Sequence, residues 1–128
     1  MAEPFIGEIK MVGFNFPPKG WAFCDGALLN SQQHGDLFSL LGNAFGGDGQ
    51  TTFALPDMRS RFPIGAGQGD ELTNYSRGEK GGVEEAPLHK MEASAIGNTG
   101  SGHSHENMPP FLAIYFIIAL QGKFPPRN

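Results

Sequence analysis

A chain of 128 residues is long enough for one domain and short for two. Its formal charge of −4, with nine Lys and Arg scattered along the chain, excludes a nucleic-acid or anionic-membrane surface built on clustered positive charge. One cysteine excludes an intrachain disulfide framework, and the longest apolar stretch, Phe111 to Leu120, is too short to cross a bilayer as a helix.

Nineteen Gly, ten Pro and 11 Phe describe turns and short elements. The first of them is a strand: Phe5, Ile9 and Met11 stand at odd positions with Glu8 and Lys10 between, a period of two with one wet face, and Gly7 marks a bulge. Nothing at the N-terminus has the charged and apolar regions of a secretory signal, so synthesis in the cytoplasm is expected. Pro17-Pro18-Lys19-Gly20 is a turn and Trp21 to Cys24 a second strand, with Cys24 read as a small buried hydrophobe. Asp25-Gly26 then predicts a hairpin turn before Ala27-Leu28-Leu29. A helix is predicted over 31–41, capped by Asn30 or Ser31, carrying the stripe Leu37, Leu40 and Leu41, and stopped by a left-handed Gly42.

Gly46-Gly47-Asp48-Gly49 lacks the Lys and Ser/Thr of a phosphate loop and reads as a tight loop feeding the extended Thr51 to Asp57. If that extension continues, Asp57, Arg59 and Arg61 share a face and pin the loop as an ion-paired network. The tract 66–104, rich in Gly, Glu, Ser and Asn, reads as a long loop insertion, with a short helix around Leu88 to Ala95. Order returns at Pro109-Pro110, and Phe111 to Leu120, apolar throughout, reads as a central strand buried on both faces. The fold class is therefore mainly β with one short helix, a small α+β domain spanning 1–128.

Four segments, taken together, resemble the phage tail collar domain. They are Gly7-Glu8-Ile9 through Trp21-Ala22-Phe23-Cys24-Asp25-Gly26; Leu37-Phe38-Ser39-Leu40-Leu41-Gly42; Gly46-Gly47-Asp48-Gly49 through Leu55-Pro56-Asp57-Met58-Arg59-Ser60-Arg61; and Asn107-Met108-Pro109-Pro110 through Gln121-Gly122. Stand-alone bacterial chains of this kind are called microcystin-dependent proteins. The resemblance implies a non-enzymatic tail-fibre-tip module in a virion or tail-like particle, with Trp21 as a core anchor and a surface glycan or a protein receptor as ligand. A purely structural assembly component is the alternative. The Met-Pro-Ala-His-x-His motif of many relatives is replaced here by Met91-Glu92-Ala93-Ser94-Ala95-Ile96, so both of its histidines are missing.

A different pair, His103 and His105, points to one side of an extended chain and supplies two imidazoles. Two ligands do not complete a zinc site, but three copies around one axis would give six nitrogens for a divalent ion such as Zn or Fe, and so a homotrimer. A metal-dependent hydrolase would need the same pair with a carboxylate such as Glu106. His34, in the first helical turn, and His89 are lone, and no nucleophile-and-base motif is present. Recognition is expected on the loop tract, carried by Asn74, Tyr75 and Arg77, because Tyr and Arg stack on a sugar or grip a polar partner as Gly and Ser do not.

Overall fold

A computed structural model describes residues 3–86 and 105–127. The chain divides into two compact units, one made of Met1–Glu79 with Ile114–Asn128, the other of Lys80–Ala113. The first unit is organised by a three-stranded antiparallel sheet, β1 (Ile9–Val12), β9 (Tyr115–Ala119) and β2 (Trp21–Phe23), with β9 in the middle. Ile118 lies opposite Ile9 on one side and Ala22 on the other, so the C-terminal strand closes between two strands from the first quarter of the chain. A smaller pair, β3 (Leu28–Asn30) and β4 (Thr52–Ala54), flanks the helix α1 (Gly35–Leu41) in sequence. A hairpin of β5 (Gly67–Gln68) and β6 (Asn74–Tyr75) completes that unit. The second unit contains β7 (Glu85–Ala86) paired with β8 (His105–Glu106), and the Asn107 amide donates to the Glu84 carbonyl beside them. The architecture among the described residues is thus mostly β with one short helix, as expected from the sequence.

The core gathers around Phe53, with Leu37, Leu41, Leu55, Ile118, Cys24 and Ile6. Phe38 tilts onto Phe53 with ring centroids 5.3 Å apart, so α1 docks over β4 through its Leu stripe and one aromatic pair. Gly47 lets this happen: its φ of 90° is left-handed, and a Cβ there would stand 2.5 Å from Phe53 Cα. The loop Gly46 to Gly49 therefore lies against the strand it feeds.

Several expectations are corrected in detail. Phe5, Ile9 and Met11 are exposed: Ile9 and Met11 share the face that registers with Ile118 and Phe116, but β1 is an edge strand, and the buried residue of the first segment is Ile6, in the turn between the Phe5 bridge and β1. Asp25-Gly26 does not close a hairpin: β2 pairs with β9 and β3 with β4, while Asp25 bridges to Asp57. The helix is shorter than 31–41. Asn30 Oδ1 accepts the Gln32 and Gln33 amides at 2.8 and 3.1 Å, and so caps a preceding turn. The helical N-cap itself is His34, which makes no side-chain capping bond. Gly42 ends the helix with positive φ, yet its ψ of −140° is not the left-handed helical value.

Trp21 is not a core anchor. The register places it with Phe23, Lys10 and Ile117 on the face of the sheet opposite Ile118 and Ala22, and Lys10 Nζ sits 5.2 Å from its ring centroid. The predicted strand from 111 is half as long as expected. Ile117, Ile118 and Ala119 are buried, but Phe111 and Leu112 are exposed and precede β9. The expected helix from Leu88 to Ala95 lies outside the described residues.

Candidate recognition site

Polar side chains between Asp25 and Arg59 are largely engaged within the fold. Asp48 Oδ1 accepts the amides of Gln50, Thr51 and Thr52 at 2.8–2.9 Å, and its Oδ2 accepts the Thr51 hydroxyl at 2.6 Å. The Thr51 hydroxyl and the backbone amides hold this carboxyl well below the usual carboxylate range. Ser31, buried, donates to the Gln50 carbonyl at 2.6 Å and ties the start of the helical turn to the same loop. Asp57 takes Arg59 in a two-point clamp, Nε to Oδ1 and a terminal nitrogen to Oδ2, both 2.8 Å, and that partner raises the guanidinium's pKa. The Arg61 backbone amide donates to the Met58 carbonyl at 3.1 Å.

The β5–β6 hairpin is different. Its turn closes through the Leu72 amide on the Gly69 carbonyl and holds Glu71 at a left-handed φ of 62°. The Gln68 side-chain amide reaches back to the Leu72 carbonyl at 3.1 Å. Behind β6 a second turn is locked by Glu79, whose Oε1 accepts the Ser76 amide at 3.0 Å. Arg77 crosses to α1 and donates to the Leu40 and Leu41 carbonyls at 3.0 and 3.4 Å. Both carbonyls lie at the helix C-terminus, where Leu41's also accepts the Ala44 amide and a cation complements the helix dipole. Gly78 packs against the Ala44 carbonyl so closely that no side chain fits there.

Held this way, the hairpin surrounds a hollow of about 340 Å³ lined by Ile64, Gly67, Gly69, Leu72, Thr73 and Tyr75. Ile64 and Leu72 are 61% and 67% exposed, so the lining is apolar and open to solvent.

Of the expected recognition residues, Tyr75 lines this hollow, Asn74 stands beside it on β6, and Arg77 fastens the base of the hairpin to the helix. Ile64 and Leu72 were not singled out from the sequence. Leu72 had a signal, a lone apolar residue between Asp70-Glu71 and Thr73-Asn74, whereas Ile64, following Phe62-Pro63, had none. His103 and His89 lie outside the described residues, and of His105 only the backbone is described, opposite Ala86. Among the described residues no three His, Cys, Asp or Glu come together as metal ligands, and no helix is long and apolar enough to cross a membrane.

Residues 7–63 match the family model of the Phage Tail Collar Domain. The match ends one residue before the hollow begins at Ile64. No curated protein matches the chain.

Proposed function

We propose, from the premise that residues 7–63 belong to the phage tail collar domain family, that the chain is a non-enzymatic tail-fibre-tip module whose β5–β6 hairpin recognises a surface glycan or protein. One observation carries this reading. In residues 7–63 the side chains of Asn30, Asp48 and Asp57 are tied up in local bonds, while just beyond them the hairpin frames a hollow whose lining includes the exposed Ile64, Leu72 and Tyr75. A rigid scaffold carrying an exposed, well-held loop is the usual division of labour in binding proteins. Tyr75 offers an aromatic face with a hydroxyl at its edge, which suits either partner class.

The test replaces 67–75 with a Gly-Ser linker of equal length and keeps Arg77. Both proteins are labelled and applied to a panel of bacterial cells and to arrayed glycans. A cooperative melt with cell or glycan binding lost supports the hairpin. Binding at full strength would move recognition onto residues 7–63.

The alternative, an assembly component with no ligand of its own, is favoured by the exposed Phe111 and Leu112, an apolar pair that a neighbouring subunit of a particle would cover.

A further inference from the structure

We infer that the hairpin hollow takes a protein segment presenting one apolar side chain between Lys or Arg residues, and not a saccharide; this rests on the hairpin being the recognition element. The lining decides the first half. Ile64, Leu72 and the Tyr75 ring supply apolar surface with glycines between them, and Thr73 and the Tyr75 hydroxyl are the polar side-chain groups of the lining. A sugar needs several convergent donors and acceptors for its hydroxyls, whereas an aliphatic or aromatic side chain needs apolar walls and room. The Gln68 side-chain amide is bonded to the Leu72 carbonyl.

Charge decides the second half. Four charged residues, Asp70, Glu71, Arg77 and Glu79, lie in the stretch from Ile64 through Glu79. Arg77 is turned onto the helix carbonyls and Glu79 onto the Ser76 amide. Asp70 and Glu71 remain, exposed at the turn immediately before Leu72. The lip of the hollow is therefore acidic. It repels phosphorylated or carboxylated glycans and attracts Lys or Arg flanking the inserted side chain.

Three short peptides of equal length test this on the full chain: Phe between lysines, Phe between glutamates, and Ala between lysines. Backbone amide NMR shifts are followed at Gly67, Gly69, Leu72 and Tyr75. The Lys-Phe peptide is expected to shift these amides with Kd on the order of 1 mM. The Glu-Phe and Lys-Ala peptides should bind at least about tenfold more weakly, and salt should weaken the Lys-Phe complex. Leu72→Glu, at an exposed position, should abolish the shifts without changing the melt. Asp70→Lys with Glu71→Lys should transfer preference to the Glu-Phe peptide.

No shifts with any peptide at millimolar concentration, or equal shifts with the Lys and Glu peptides, would overturn the assignment. A neutral hexose panel is run in parallel. Hexose shifts at the same amides with none from peptide would overturn the protein partner while leaving the hairpin as recognition element. Cell binding that survives Leu72→Glu and hairpin replacement would remove the hairpin reading itself.

Discussion

Cys24 and Asp48 both lie within the residues that match the collar model, and their environments shift them in opposite senses with respect to charge. Burial pushes the Cys24 thiol up to about 12 from 9.0, with the Asp25 carboxylate adding to it, so the thiolate nucleophile is absent at neutral pH. Alkylating reagents should leave native Cys24 untouched and label it fully in denaturant; rapid labelling of the native protein would show that the side chain is not enclosed. The linkage follows from the same shift. The folded state holds the proton more tightly than the unfolded one, so this contribution is complete below pH 9 and is lost as pH rises from about 9 toward 12. Cys24→Ala should flatten the fall of melting temperature across that alkaline window. Asp48 runs the other way. Its lowered pKa means that its contribution is present above the usual carboxylate range and is lost on acidification. Asp48→Asn, able to accept the three amides but without charge, should weaken the acid dependence while keeping the fold, whereas Asp48→Ala should lower the melting temperature at neutral pH as well.

At the scale of elements, α1 is held by neighbours more than by its own ends. It spans Gly35–Leu41, lacks a side-chain N-cap bond and has no basic residue in its last turn. Arg77 supplies the missing cation from 36 residues further along the chain. Arg77→Ala should cost about 1 kcal/mol, seen as a lower melting temperature, with Arg77→Lys recovering part of it. An unchanged melt in both would mean that the guanidinium does not cap the helix. This long-range contact explains one limit on reading the sequence: nothing local to the helix reports a cap that arrives from another loop. The Leu stripe was legible because Leu37, Leu40 and Leu41 repeat with helical period. The N-terminal boundary was not, because Asn30 bonds Gln32 and Gln33 in a turn that mimics a cap one turn early. The first strand was legible from Ile9 onward, with Ile9 and Met11 on one face, but its start was not. Alternation assumes an unbroken pleat, and the positive φ of Gly7 resets the phase between Ile6 and Ile9.

For the molecule as a whole, the C-terminal run tests how far apolar sequence implies burial. Phe111 to Leu120 carries no charge anywhere, so composition treats it as uniform, yet its two halves have different surroundings. From Ile117 to Ala119 the strand lies between β1 and β2 and is covered on both faces, Ile118 by the core and Ile117 by the side of the sheet that carries Trp21, Phe23 and Lys10. Pairing partners for this stretch come from residues 9–12 and 21–23, over a hundred and nearly a hundred positions away, which no local window can register. Phe111 and Leu112 have no such cover among the described residues and are 71% and 87% exposed. Similar substitutions should therefore have unlike effects. Ile117→Asp places an unpaired carboxylate in a dry site and should cost about 3–5 kcal/mol, enough to abolish soluble, cooperatively folded protein. Leu112→Asp should leave the melting of the isolated chain within about 0.5 kcal/mol of the parent. Folded, cooperatively melting Ile117→Asp would mean that the outer face of the sheet is wet. A Leu112→Asp chain that melts normally on its own but no longer enters a tail-like particle would identify the exposed half of the run as the surface through which assembly proceeds.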